Sequence, residues 1–415
     1  MTPHAANPAS NAKALEAFLE SQAARGVDMD AVRRELRGLA VETPSWGYGD
    51  SGTRFRVFKK AGVPRTPFEK IDDAAEVHRL TGLSPSVAVH IPWDKTDDYG
   101  ALAAHAEAAG VRIGAVNPNL FQADEYMLGS VTSENPATRA RAMDHLLECV
   151  DAMRALGSDT LSLWYADGTN YPGQADIRKR KRRMEEAHAR LHGALQEGER
   201  MLIEYKFFEP AFYHTDLADW GMALSLATKS GPKAEVLVDT GHHAPGTNVE
   251  HIVAFLLDEG RLGGFHFNAR KYADDDLIVG SQNPYELFLI FHQILQAKRD
   301  GGAVAARAGR IAYMIDQSHN IEPKIPAMMR SVLNVEFQYA KALLINWDGL
   351  AAAQAEGDVM AAEACVREAF EQDPTPLLRA MRVEAGRPED PMAAFKDSGY
   401  AERVAAERGT GGASW

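Results

Sequence analysis

The chain has 415 residues, of which 45% are hydrophobic and 25% charged, the profile of a soluble globular protein. Its formal net charge of −13 argues against a general nucleic-acid binder, because such proteins present a basic face. It lacks both a run of roughly 18 apolar residues and a signal peptide, so we expect a cytoplasmic protein without membrane or nucleic-acid partners.

The first 38 residues show a helical period, in KALEAFLESQAA and MDAVRRELRGL, with a break at Arg25 and Gly26. From Leu39 onward, short apolar runs alternate with helical segments, and such runs are typical of parallel strands covered on both faces. There are eight of these runs: LAVETPSW, SVAVHIPW, VRIGAVNPN, TLSLWYADG, MLIEYK, EVLVDTG, LGGFHFN and IAYMID. The alternation predicts an α/β fold, specifically a closed (β/α)8 TIM barrel.

We divide the chain into N-terminal helices (1–38), the barrel (39–330) and a C-terminal helical extension (331–415). A doubly wound open sheet is the alternative, but its glycine-rich dinucleotide fingerprint is absent. Residues 47–70 are irregular and predict a lid or an intersubunit arm. The basic run at 178–183 is interpreted as a solvated helix start paired with Glu185 and Glu186, with an anion-binding patch as the alternative.

Four of the later apolar runs end on side chains that bind metals, with gaps of 35, 27 and 50 residues between them. Those gaps suit successive β/α units, so the four side chains should meet at the carboxyl ends of the strands, where barrel enzymes carry their sites. Taken singly, an Asp there is often a helix cap and a His is often a core residue. Their joint placement predicts a metal site made of Glu204, Asp239, His266 and Asp316.

Three further candidates lie one loop beyond: His242, Asp274 and Asp276. In an extended segment residues i and i+2 point the same way, so the two aspartates are expected to face one ion while Asp275 faces away. Glu204 has two oxygens and could bridge both ions. The alternative for ADDD is a hydrated acidic loop, although clustered carboxylates repel one another strongly without a cation.

The same face should hold polar groups and flat apolar walls suited to a small polyhydroxylated ligand: His90, Trp93, Asn117, Trp164 and Lys206. Trp46 and Trp220 are assigned to the core. A metal can polarise the oxygens of a sugar while its carbonyl moves between C1 and C2. Neither a GxSxG motif nor a phosphate-cradling loop is present, which favours a free sugar.

At these residues the chain resembles the bacterial L-rhamnose isomerases of the broad-specificity type, a branch of the xylose isomerase-like barrels. The likeness rests on HIPWDK, LWYADGTNYPGQ, VLVDTGHH, GGFHFN, YADDDL and MIDQSHN. It implies two divalent metals per subunit, with manganese favoured over cobalt or zinc. It assigns the first metal to Glu204, Asp239, His266 and Asp316, the second to His242, Asp274 and Asp276, and sugar contacts to His90, Trp93, Trp164, Lys206 and Phe55.

The resemblance further implies a homotetramer in which the 47–70 loop, through Phe55, reaches a neighbouring site. The implied reaction is interconversion of L-rhamnose and L-rhamnulose, and of other free sugars such as D-allose and D-psicose, with Asp316, His242 and Lys206 as catalytic residues. Hydrogen could move as a hydride or as a proton; in the second case Asp316 or a water beside the second ion is the candidate base. A ketose 3-epimerase and a non-catalytic sugar-binding protein remain alternatives.

Overall fold

The computed structural model describes residues 8–53, 56–209 and 212–412. Eight parallel strands follow one another in chain order around a single sheet. The gap between the first and last strands is bridged by backbone hydrogen bonds from Glu42 N to Tyr313 O (2.7 Å) and from Ile315 N to Glu42 O (2.9 Å). The predicted barrel is therefore confirmed, with strands β1 (Thr43–Pro44), β2 (Ser86–Ile91), β3 (Arg112–Pro118), β4 (Thr160–Leu163), β5 (Arg200–Glu204), β6 (Ala234–Asp239), β7 (Leu262–Phe267) and β8 (Ala312–Ile315).

One long helix follows each strand, and polar caps mark where several of them begin. Asn135 and Asn283 accept hydrogen bonds from the first turns of their helices, and a proline occupies the first turn of each. The eight helices are α1 (Pro67–Thr81), α2 (Tyr99–Ala108), α3 (Pro136–Ala155), α4 (Ile177–Ala194), α5 (Trp220–Ser230), α6 (Val249–Asp258), α7 (Pro284–Asp300) and α8 (Lys324–Leu343). A short helix, Gly302–Ala308, lies between α7 and β8.

Helices also flank the barrel at both ends of the chain, as predicted. Pro8–Ala24 and Met29–Arg37 precede it, and the break between them falls at Gly26, whose φ is 76°. The C-terminal helices are Trp347–Glu356, Val359–Phe370, Thr375–Glu384, Pro391–Asp397 and Tyr400–Arg408. The division at residues 38 and 330 stays a prediction, and α8 itself continues past residue 330.

The 47–70 stretch has more structure than predicted. A 3-10 helix covers Ser45–Tyr48, a two-stranded hairpin pairs Gly52–Thr53 with Arg56–Val57, and α1 begins at Pro67. The last four residues of the stretch are helical because Thr66 caps Glu69 N and the proline presets the first turn. Two other short strands, Gly168–Thr169 and His214–Thr215, pair above the barrel, and a 3-10 turn covers Asp124–Tyr126.

The basic run at 178–183 forms the start of α4. Lys181 pairs with Glu185 at 2.5 Å, which confirms that predicted pairing. Arg180 differs from its neighbours because it is almost fully buried and its Nε lies 3.0 Å from both carboxylate oxygens of Asp216. The run is thus exposed to solvent apart from the buried Arg180 and the half-buried Arg183.

A small apolar cluster fills the barrel interior and is separate from the main core between sheet and helices. It contains Trp46, Ala88, Ala115, Leu202, Leu237 and Met314. Successive side chains of a strand alternate between its two faces, so the residue two positions after each strand member of the cluster also faces the barrel axis. Glu204, Asp239 and Asp316 follow Leu202, Leu237 and Met314 at this spacing, so they lie directly above the interior apolar cluster, at the carboxyl face of the barrel.

Among the helices of residues 8–53, 56–209 and 212–412, none combines the length and the apolar composition needed to span a membrane.

Candidate metal centre and active-site pocket

Four side chains from the ends of four successive strands meet above the interior apolar cluster. Glu204, Asp239, His266 and Asp316 each place one ligand atom within 4.8 Å of the ligand atoms of the other three. Three of them are buried, and the Asp316 side chain is 26% exposed. The structure thus brings together the four residues that the spacing predicted for the first ion.

The donor set and its electrostatics fit a divalent cation. His266 Nδ1 is buried 3.1 Å from Glu204 Oε2 and 3.4 Å from Asp316 Oδ2, yet it forms no hydrogen bond of good geometry with described residues. Burial would lower the pKa of His266, but the carboxylates of Glu204 and Asp316 outweigh it and raise that pKa to about 9. Burial raises the pKa of Asp239 to about 7, opposed by His242 and reinforced by Glu204. A cation among these atoms would offset the crowded carboxylates and use the free imidazole nitrogen.

Hydrogen bonds from outside the cluster fix the orientation of Asp239. Asn268 Nδ2 donates to its two oxygens at 3.0 and 3.1 Å, and Gly241 N donates to Oδ1 at 2.6 Å. Supporting contacts of this kind hold metal ligands in place before the ion arrives. Asn268 directly follows Phe267, the last residue of β7, so the end of this strand supplies both a member of the cluster, His266, and the hydrogen-bond partner of another member, Asp239.

The three residues predicted for the second ion lie beside the first cluster: His242, Asp274 and Asp276. His242 Nδ1 donates to Tyr205 O at 3.0 Å, because a carbonyl only accepts, so Nε2 is the ring nitrogen left to face an ion. That Nε2 is 3.1 Å from Asp274 Oδ1 and 4.0 Å from Asp239 Oδ2. Glu204 Oε1 lies 3.2 Å from His242 Nδ1, so its two oxygens face the two histidines. A bridging position for Glu204 between two ions is compatible with this geometry.

The prediction that Asp274 and Asp276 lie in an extended segment is wrong. Their φ values are 48° and 50°, so both residues have left-handed backbone conformations and the segment is not an extended strand. Both side chains nevertheless line the same cavity, and Asp275 turns away to accept a hydrogen bond from Tyr272 N at 2.8 Å. Burial raises the pKa of Asp276 well above its ordinary value, with Asp274 adding to the effect.

Aromatic rings line the same cavity as the carboxylates. His90 stacks on Trp93 with ring centroids 3.8 Å apart, and Phe121 lies 4.8 Å from Trp164 in an edge contact. Burial, reinforced by Lys70, lowers the pKa of His90 well below its ordinary value, so its ring is neutral. The wall therefore offers flat apolar faces and a neutral imidazole to a ligand.

Both metal groups and the aromatic wall border one cavity of about 290 Å³. The predicted residues that line it are His90, Trp93, Trp164, Glu204, Lys206, His242, His266, Asp274, Asp276 and Asp316, and Asn117 joins them. Asp239 lies beneath, fully buried. Phe55, the remaining predicted contact, falls outside the described residues.

Four lining residues were missed: Trp46, Phe121, Glu209 and Ser318. Trp46 was assigned to the core, and it is indeed buried, but its Nε1 also donates to Asp316 Oδ1 at 2.8 Å. It lies two residues beyond the end of β1, so a search of all the strand ends would have found it too. Ser318 lies two residues after Asp316, and the sequence offers no comparable signal for Phe121.

Fold and site together define an α/β barrel with a metal-ligand cluster at the carboxyl ends of its strands. The chain belongs to the family of xylose isomerase-like TIM barrels, whose family model matches residues 75–289. This family is the broad one that the strand-end motifs indicated in the sequence.

The curated relatives match along nearly the whole chain. A protein named probable sugar isomerase from Rhizobium meliloti is 43% identical, covering 95% of this chain and 92% of the relative. A second, from Mesorhizobium japonicum, is 40% identical, with coverages of 92% and 89%. Among solved structures, a D-allulose 3-epimerase from Methylomonas sp. superimposes with a TM-score of 0.54 at 16% identity, covering 72% of this chain and 97% of that one. So low an identity speaks for the fold alone.

Proposed function

We propose that the protein is a metal-dependent aldose-ketose isomerase acting on free sugars. The observation that carries the proposal is the convergence of Glu204, Asp239, His266 and Asp316 beside His242, Asp274 and Asp276, in one cavity with an aromatic wall. Two neighbouring cations, with manganese favoured over cobalt or zinc, suit this mixed oxygen and imidazole set. The names of the two curated relatives support the same class of reaction.

The chain's own groups supply binding, orientation and proton handling. When bound, the metals supply Lewis-acid polarisation of the substrate oxygens. Lys206 carries a buried ammonium at the cavity wall, and His90 offers a neutral ring, so both can hydrogen-bond sugar hydroxyls. Trp93 and Trp164 exclude water from one face of the open chain. Asp316, which is partly exposed in the cavity, is the proposed group for handling the proton that moves between C1 and C2.

The proposed substrates are L-rhamnose and L-rhamnulose, with D-allose and D-psicose as further candidates. Aromatic walls accept a C6 methyl group without rejecting a hydroxymethyl group strongly, since one such change alters binding only modestly. A phosphorylated sugar is disfavoured because the cavity is rich in carboxylates. The cytoplasm remains the predicted location.

The test is conversion of sugars by protein stripped with EDTA, with and without added manganese, across L-rhamnose, D-allose, D-psicose and L-mannose. Manganese-restored exchange of the carbonyl between C1 and C2 is the expected result. Conversion of one ketose into another, without aldose formation, would replace the proposal by a 3-epimerase. Binding of these sugars without any turnover would instead favour a sugar-binding protein.

We also propose a homotetramer in which the 47–70 loop reaches a neighbouring site. Support comes from exposed apolar side chains on the loops at the carboxyl face: Phe58, Tyr171, Tyr213, Tyr272 and Ile321. Exposed apolar residues gathered on one face favour an interface. Phe55→Ala should change the ranking of sugars while leaving manganese affinity unchanged, whereas Phe255→Ala, at an exposed position of helix α6, serves as the matched control. An unchanged ranking, or a monomer by light scattering, would contradict this arrangement.

A further inference from the structure

Lys206 lies between two carboxylates in the cavity wall. Its Nζ is 2.5 Å from Asp274 Oδ2 and 2.7 Å from Glu209 Oε2, and it lies 5.1 Å from the ring centroid of Trp164. The residue is only 6% exposed, so water screens these charges weakly. The ammonium is therefore a fixed positive charge at the edge of the proposed second ion site.

Asp274 is shared between this lysine and the second site. Its Oδ2 faces Lys206, while its Oδ1 lies 3.1 Å from His242 Nε2, the ring nitrogen on the side away from Tyr205 O. A cation held by His242 and Asp274 would share one carboxylate with an ammonium. Two positive charges on one carboxylate repel each other, and each weakens the hold of the other.

The first cluster has a different environment. Among the described residues, no lysine or arginine forms an ion pair with Glu204, Asp239 or Asp316. Their other partners are neutral: Asn268 and Gly241 N for Asp239, and the Trp46 indole for Asp316. The two neighbouring sites thus differ in the number of candidate ligands and in the ammonium that adjoins only the second one.

We propose that Lys206 sets the order in which the two sites fill, by weakening the second, and that Glu209 limits this effect. The inference rests on the two-ion site of the proposed function. Glu209 shares the ammonium charge and draws it away from Asp274. It is well placed to do so, since its backbone is held by paired hydrogen bonds with Phe212, at 2.9 and 2.8 Å. The first site fills at low metal concentration, and the second remains weak and exchangeable.

The test measures manganese binding directly, by isothermal titration calorimetry and by equilibrium dialysis of the EDTA-stripped full chain. Lys206→Met keeps the length and apolar stem of the side chain and removes its charge. We expect its second Kd to be roughly tenfold lower than that of the wild type, and its first Kd to change by less than about twofold. Glu209→Gln should raise the second Kd by roughly threefold to tenfold, because Lys206 then relies on Asp274 alone.

Lys229→Met is the matched control, because Lys229 pairs with Glu185 on the exposed helical layer and should leave both constants unchanged. Circular dichroism and the melting temperature check that each variant folds. Two ions bound with an unchanged second Kd in Lys206→Met would overturn the role of the lysine. One ion per chain in the wild type and in both site variants would instead refute the two-ion site on which the inference rests.

Discussion

Replacing Trp46 by Phe isolates a single hydrogen bond in the candidate site. The indole Nε1 donates to Asp316 Oδ1 at 2.8 Å, while Asp316 Oδ2 faces His266 in the first cluster. Phe keeps an aromatic ring in the same buried position but has no donor. The carboxylate of Asp316 then loses the contact that fixes its rotation, and both of its proposed roles, as metal ligand and as proton-handling group, depend on that orientation.

The magnitude follows from the charge on the acceptor. Hydrogen bonds to charged groups contribute about 1.5 to 3 kcal/mol, and a factor of ten in rate corresponds to about 1.4 kcal/mol. We therefore expect kcat to fall by about tenfold to a hundredfold. KM should stay within about threefold, because the ring still closes the cavity floor. Manganese affinity at the first site should also weaken, which calorimetry measures independently of turnover.

The matched control is Trp220→Phe. Trp220 packs on Phe255 at 5.0 Å between ring centroids, in the helical layer, and does not line the cavity. It reports the general cost of trimming a tryptophan in this barrel. If Trp46→Phe kept both the kcat and the metal affinity of the wild type, the indole bond would have no positioning role. An equal loss of melting temperature and activity in both variants would point to stability instead.

Further changes test the site and its supports. Asp316→Asn should abolish isomerisation while circular dichroism shows an intact fold; near-normal turnover would contradict the two-metal assignment. Arg180→Met should lower stability by about 3 to 5 kcal/mol, because Asp216 loses its buried partner, whereas the exposed neighbour Arg182→Met should leave the melting temperature unchanged. Burial lowers the pKa of His188 to about 4, so His188 stays neutral in the folded state at pH values where the unfolded chain, with a pKa near 6.5, is protonated. Its contribution to stability is present above pH 6.5 and declines by up to about 3 kcal/mol as the pH falls to 4. His188→Gln should flatten that part of the melting-temperature profile, and an unchanged profile would refute the assignment.

The strand ends account for the part of the site that was predictable. Glu204 and Asp239 are the last residues of β5 and β6, His266 is the penultimate residue of β7, and Asp316 directly follows β8. An apolar run that closes on a ligand side chain is a local pattern, visible without knowing what packs against it. In a parallel barrel those ends share one face, so local patterns sufficed to bring the four residues together.

The backbone conformation of the loop that carries Asp274 and Asp276 could not be predicted from the sequence. The left-handed conformations of Asp274 and Asp276 arise in a loop closed by backbone hydrogen bonds between Ala269 and Leu277, and the letters ADDD carry no glycine to announce them. A run of acidic residues is equally typical of a hydrated loop. The two side chains were assigned to one site for a geometric reason that the backbone does not support.

By itself, the sequence determined the eight β/α units, the flanking helices and the four residues of the first cluster, because each depends on periodicity or on the residue that closes a strand. Only the tertiary structure decided the pairings between loops. Trp46 and Asp316 are 270 positions apart, and Lys206 meets Asp274 from a different strand end. Closure of the barrel sets these distances, and no local pattern contains them, since the partners share neither a helix face nor a strand.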